Sequence, residues 1–165
     1  MPFDILQEPW SEYRLSDGTT LKTRFVLLKV WDDAETREGQ KFGKLSNQIV
    51  NVIQAPARLI GPKGSSASVQ ELQQNIVDSN VKIEPIVEKP SVYMLSDKRF
   101  LIVQTRAIAV SRTSLFDAEG APHYLVTSQT AVSSTQLPET TSPEAISKTL
   151  QSGSTSRRRN KAVKQ

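Results

Sequence analysis

A nine-residue string recurs 80 positions apart in this chain. Tyr13-x-Leu15-Ser16-Asp17-x-x-x-Leu21 is followed by Tyr93-x-Leu95-Ser96-Asp97-x-x-x-Leu101, and five of the nine positions are identical. The likeness continues through an apolar, β-branched run (Phe25 to Trp31; Ile102 to Val110) and a Glu-Gly pair (Glu38-Gly39; Glu119-Gly120). A second run then opens on Gln (Gln48 to Ile53; Gln129 to Val132). The last two features fit an offset of 81, as one residue inserted in a loop or bulge would give. Self-similarity at a fixed spacing is the mark of one supersecondary unit used twice. Two unrelated hairpins sharing Ser-Asp turn chemistry would produce a similar string.

Each copy has the chemistry of β structure. Ser16-Asp17-Gly18 sits between apolar alternations, so Gly18 can adopt a positive φ and Asp17 can bond the turn backbone. Lys98 stands where that glycine would be, and the second turn is expected to change type or lengthen. The run from Thr23 to Trp31 is too continuously apolar for a strand with one wet face, which predicts burial on both faces or a bulge. Leu101 to Val110 and Tyr124 to Val132 also read as strands. Between the copies, Ser68-Val-Gln-Glu71 has capping-box spacing, and Val69, Leu72, Ile76 and Val77 share a helical face, predicting a helix over Val69 to Asp78. Val81 to Val87 alternates like a strand, but Pro85 removes a ladder donor and assigns it to an edge or a bulge.

The expected fold is therefore mainly β: a small sandwich or partly open barrel made of two related β units, with one short connecting helix and a flexible C-terminal arm. We expect a single β domain over residues 1–133, with repeat units at about 10–55 and 90–133 and a helix-containing connection at 56–89. A Ser/Thr/Pro-rich arm with a basic end follows over 134–165. Within it, Ser142-Pro143 caps a helix correctly, but Glu144 to Gln151 falls short of the ~12–15 residues at which isolated helices become marginal. That stretch needs a surface to dock on, or it stays mobile.

Composition excludes several chemistries. With no cysteine among 165 residues there is no disulfide framework, thiolate zinc site or cysteine nucleophile, and His123 is the one histidine. No catalytic residue, cofactor or metal ligand is assigned, and no small-molecule substrate is inferred. Asp17 and Asp97 occupy matching positions, as the carboxylates of an aspartic-protease dyad would. Their followers, Gly-Thr and Lys-Arg, differ from the pattern of that chemistry, and both are read as turn formers. His123 is read as a hydrogen-bonded residue at a hairpin shoulder, and Gly61-Pro-Lys-Gly64 as a flexible loop without Walker spacing. Leu137-Pro-Glu-Thr-Thr141 has a superficial likeness to a cell-wall sorting signal but lacks its terminal glycine and a following apolar segment.

The net charge of +4 is concentrated at one end. Arg157, Arg158, Arg159, Lys161 and Lys164 lie in the last ten residues with no acid, leaving 16 basic against 17 acidic groups in residues 1–155. Five cations in so short a stretch form a hook for phosphate polymers. The leading expectation is a non-catalytic interaction or assembly module, a structural protein whose partners are other protein subunits in a homo-oligomer. The alternative is a nucleic-acid-binding accessory or packaging protein that contacts phosphates nonspecifically through these five residues. With no signal peptide and no apolar run long enough for a membrane span, a cytoplasmic or virion-associated location is expected.

Overall fold

The computed structural model describes residues 1–31 and 43–136. They form nine strands: β1 (Phe3–Gln7), β2 (Ser11–Leu15), β3 (Thr20–Val30), β4 (Leu45–Gln54), β5 (Ile76–Val81), β6 (Ile83–Val87), β7 (Ser91–Leu95), β8 (Phe100–Phe116) and β9 (Pro122–Thr135). A 3₁₀ turn, Ala57–Leu59, and one helix, α1 (Val69–Gln74), lie between β4 and β5. The chain is mainly β, in two sheets, neither closed into a barrel. Sheet B has the order β4-β3-β2-β6. In sheet A, β1 pairs β7 and β7 pairs β8, while β5 and β9 both pair β8.

β1 and β6 each pair outside the sheet of the strand that follows them. β1 precedes β2 but pairs with β7 in sheet A, and β6 precedes β7 but pairs with β2 in sheet B. The registers match across an offset of 80. Tyr13 faces Leu21 as Tyr93 faces Leu101, and Leu15 faces Ile83 as Leu95 faces Phe3. In β3 the register slips between Leu27 and Lys29, and in β8 between Ala107 and Ala109. The apolar run of Thr23 to Trp31 is thus accommodated by a bulge, which turns Leu28 outward at 56% exposure, as the second bulge turns Ile108 outward at 55%.

The tight turns are equivalent despite Lys98. In the first, the Leu15 N–H donates to Thr19 O at 2.8 Å and the Gly18 N–H to Leu15 O at 2.9 Å. In the second, Leu95 N–H to Arg99 O and Lys98 N–H to Leu95 O have the same lengths. Asp17 Oδ1 accepts the Thr19 N–H, and Asp97 Oδ1 accepts the Arg99 N–H. The expected change of turn does not occur, because Lys98 takes the left-handed conformation itself, with φ 63° against 86° for Gly18. Registry with the flanking strands outweighs the roughly 1–2 kcal/mol that a side chain costs in that region.

Two apolar clusters join the sheets. One sets Phe25, Leu27 and Val30 of β3 against Tyr93, Leu95, Leu101 and Val103 of β7 and β8. The other sets Tyr13, Leu15 and Leu21 of β2 and β3 against Val81, Ala107 and Val110 of β5 and β8. At roughly 1.5–3 kcal/mol for each large side chain fully buried, these clusters supply the main drive for the two sheets to associate.

The connection over 56–89 differs from expectation. α1 stops at Gln74, four residues short of Asp78, and Ile76 and Val77 belong to β5, where Ile76 faces Thr113. The capping box is present, with the Ser68 hydroxyl accepting the Glu71 N–H and the Glu71 carboxylate accepting the Ser68 N–H. No α1 residue is buried, however, and β-branched Ile76 gains Thr113 as a ladder partner by leaving the helix, with Val77 in the register shift beside it. The connection therefore supplies β5 to sheet A and β6 to the edge of sheet B, the latter accommodating Pro85. β9 runs to Thr135, two residues beyond the expected boundary at 133, and the expected arm lies outside the described residues from 137 onward.

Relief of the strained turn is directly measurable. Lys98→Gly is expected to stabilise the fold by about 0.5–1 kcal/mol in urea denaturation, because the left-handed strain removed exceeds the extra freedom given to the unfolded chain. A loss of stability would show that Lys98 is not strained.

Candidate functional site

The positions at which the chain crosses between sheets carry a paired polar network. Glu8 lies between β1 in sheet A and β2 in sheet B, and Glu88 between β6 in sheet B and β7 in sheet A. The Tyr93 hydroxyl donates to Glu8 Oε1 at 2.7 Å, and the Tyr13 hydroxyl donates to Glu88 Oε1 at 3.0 Å. Backbone donors complete the sites: the Ala107 N–H reaches the Tyr13 hydroxyl at 3.3 Å and the Leu27 N–H reaches Glu8 Oε1 at 3.4 Å. Both tyrosines have no exposed surface, so an unpaired hydroxyl would carry the full cost of desolvation. The cations differ between the two sites. Arg24 pairs with Glu8 at 3.1 Å, where the carboxylate side chain is 6% exposed, and Arg106 pairs with Glu88 at 3.4 Å, where it is 21% exposed.

A second polar group gathers at the first turn. Tyr124 of β9 donates to Asp17 Oδ2 at 2.7 Å, its oxygen lies 2.9 Å from the Thr19 hydroxyl, and Arg112 Nε stands 3.8 Å from the same carboxylate oxygen. Arg58 also donates to the Asp17 backbone carbonyl. At the other turn, Asp97 pairs with Arg99 of its own hairpin at 2.5 Å. Each aspartate is thus engaged as a turn former, and Asp17 additionally as an anchor for β9.

The remaining candidates have local partners. His123 Nε2 is 2.9 Å from the Ser65 carbonyl, at the shoulder of the β8–β9 hairpin. The Gly61-Pro-Lys-Gly64 loop is tied to that hairpin by Gly61 N–H to Gly120 O and Gly64 N–H to Asp117 O, at 2.9 and 2.7 Å. A Cβ at Gly64 would collide with the Phe116 backbone, so close approach explains this glycine without a phosphate ligand. An open groove of about 510 Å³ runs beside β5, β6 and the β8 bulge, with Asn80, Lys82, Pro85 and Ile108 among its walls. Another, of about 290 Å³, lies between the Pro62 to Ala67 loop and Ser114 to Phe116. Among the described residues, no group of three His, Cys, Asp or Glu side chains is placed to hold a metal ion. No helix among them is long and apolar enough to cross a membrane.

The outer strands of the two sheets differ in length and charge. β4 (LSNQIVNVIQ) and β9 (PHYLVTSQTAVSST) contain no Asp, Glu, Lys or Arg, and each pairs on one side alone among the described strands. The opposite edges are short and interrupted: β1 has Asp4 and a register shift, and β6 has Glu84, Pro85 and a shift opposite Glu12. Charge, proline and bulges are the usual devices that stop an edge from recruiting another strand. β4 and β9 have none of them along their outer sides apart from Pro122 at the start of β9. Arg157, Arg158, Arg159, Lys161 and Lys164, the residues expected to contact phosphate, lie outside the described residues.

No known family model, curated protein or solved structure matches this chain.

The sequence missed Glu8, Glu88, Arg112 and the anchoring role of Tyr124. Glu8 and Glu88 were detectable by extending the 80-residue comparison five positions upstream of Tyr13 and Tyr93, where Glu and Ser11/Ser91 also coincide.

The chain has three tyrosines, and all three are held protonated above the ordinary range. Burial pushes the Tyr13 hydroxyl up to about 12, with the Glu88 charge adding to it. Burial with Glu8 raises Tyr93 further, and burial with Asp17 raises Tyr124. The folded values exceed the unfolded value near 10, so their stabilising contribution is complete below pH 10 and is lost as pH rises through the folded values. An ultraviolet titration of the native protein is therefore expected to show no tyrosinate at pH 10, with ionisation coupled to unfolding at higher pH. A tyrosine titrating normally at pH 10 in folded protein would contradict the network.

Proposed function

We propose that this protein is a non-catalytic assembly module in which two copies of one β unit form a two-layer sandwich, each lending its first strand to the other's sheet. The matched registers, bulges and turns 80 residues apart support the duplication. In this reading, the module joins other protein subunits, a second copy of itself first, by adding strands to β4 and β9. The observation that carries it is the asymmetry of the edges: β1 and β6 are short and guarded, while β4 and β9 are long and uncharged. Backbone groups along such an edge supply affinity, and side chains on the two faces set the register.

A second reading, nucleic-acid packaging, is favoured by the cluster of Arg157, Arg158, Arg159, Lys161 and Lys164. It is compatible with the first, because assembly would use the β body and phosphate contact the basic end.

Light scattering on the full chain is expected to give one defined oligomer. Gln48→Lys on β4 combined with Ala131→Lys on β9 is expected to convert it to monomer, while each surface change shifts folding stability by less than about 0.5 kcal/mol. A full chain that is monomeric at every concentration would refute edge-mediated self-assembly. If a mixed RNA pool binds at low salt through the five basic residues, affinity should fall with a log–log salt slope of about −3.5 for single strands, and a chain ending at Thr155 should not bind.

A further inference from the structure

β4 reads the same in both directions about one residue. Gln48 to Gln54 (QIVNVIQ) is a palindrome centred on Asn51, with three mirrored pairs of identical residues. In β9 no centre mirrors more than one identical pair. The palindrome also lies in the regular part of its strand. Asn47 to Gln54 pair with Leu27 to Thr20 without interruption, and the register shift between Leu27 and Lys29 falls outside it.

Each mirrored pair shares a face as well as an identity. Ile49 and Ile53, opposite Phe25 and Leu21, face the core, where Ile49 packs on the first apolar cluster and Ile53 on the second. Val50 and Val52, opposite Arg24 and Lys22, face outward, and Val52 is 38% exposed. Gln48, Asn51 and Gln54 are exposed. Asn51 Oδ1 accepts the Thr23 hydroxyl at 2.9 Å. An amide so held has a second lone pair on that oxygen and two N–H donors with which to meet another amide.

A palindromic edge is complementary to itself under one operation. When two copies of a strand pair antiparallel about a two-fold axis normal to the sheet, residue i faces residue j and j faces i. With the axis at Asn51, Gln48 faces Gln54 of the second copy, Ile49 faces Ile53, Val50 faces Val52, and the two Asn51 side chains meet on the axis. Like sits opposite like at every position, and core-facing side chains stay on the core face of the joined sheet. Sliding the partner by two residues keeps the faces but sets Asn51 against Ile49 or Ile53, an amide against an apolar side chain.

We propose that two copies of this chain join by antiparallel pairing of β4 with β4 about Asn51, so that sheet B continues across the dimer. The inference rests on the edge-pairing function and specifies its edge, its partner and its register. Ile49 of one copy and Ile53 of the other then link the apolar clusters of the two bodies.

Isotope-filtered NOE spectroscopy on an equal mixture of isotope-labelled and unlabelled full-length chains tests this register. Ile49 and Ile53 stand four residues apart on one strand, about 13 Å, too far for a cross-peak within a chain. Across the proposed pair their Cβ atoms come to about 5 Å. Cross-peaks between the Ile49 and Ile53 methyl groups are expected in the filtered spectrum. A dimer whose intermolecular cross-peaks arise from β9, or from β4 in another register, would overturn the proposal and leave the edge-pairing function standing. A monomer would overturn both. Charge on the axis gives a second test in the full chain. Asn51→Lys and Asn51→Glu are each expected to weaken the dimer by about fivefold or more, because like charges then face each other, and mixing the two variants should restore a mixed dimer. Dimer affinity unchanged in both variants would contradict an axis at Asn51.

Discussion

The architecture depends on two buried tyrosine–glutamate hydrogen bonds at the points where the backbone passes from one sheet to the other. Tyr93 belongs to sheet A and Tyr13 to sheet B, and each is bonded to a glutamate in the linker that feeds a strand across. A fully buried phenol must have a partner, and a carboxylate with little exposure must have donors. Neither requirement is met unless both crossings are made. Strand exchange and core packing are therefore coupled: Tyr93 also packs edge-on to Phe3 of the exchanged β1, with ring centroids 5.7 Å apart at 87°.

From that constraint follows the difference between the edges. Exchange leaves β1 and β6 as outer strands, and both are short, charged and irregular in register. The far side of each sheet ends in a long strand hairpinned to the sheet's longest one, and there the sequence supplies no charge. The bulges at Leu27/Lys29 and Ala107/Ala109 fall in the strands next to these edges, so the edges themselves remain regular along most of their length. The proposed assembly uses these two uncharged edges, β4 and β9, to accept a further strand.

Much of the β framework was legible in the sequence. The Tyr-x-Leu-Ser-Asp string located both hairpins, the apolar run after Thr23 called for burial on both faces or a bulge, of which the bulge is present, and Pro85 called for an edge or a bulge, of which the edge is present. What was not legible depends on partners distant in sequence. Ile76 and Val77 complete a helical stripe on paper, and their loss to β5 reflects pairing with β8 more than 30 residues away. Lys98 keeps a glycine's conformation because the flanking strands hold it there. Glu8 and Glu88 carry no local signature, since a glutamate in a linker between strands is ordinary until a tyrosine 85 or 75 residues away comes within 3.0 Å. The palindrome about Asn51 was present in the sequence, but it acquires meaning only when β4 is placed at the outer side of sheet B.

A double-mutant cycle on Glu8→Gln and Tyr93→Phe, followed by urea denaturation, is the most direct test of the crossing network. Hydrogen bonds to charged groups contribute about 1.5–3 kcal/mol, so each single substitution should cost an amount in that range. The double variant should cost less than their sum, with a coupling of about 1 kcal/mol or more. Additive losses, with coupling near zero, would mean that the tyrosine and the glutamate act independently and that the crossings are held by apolar packing alone.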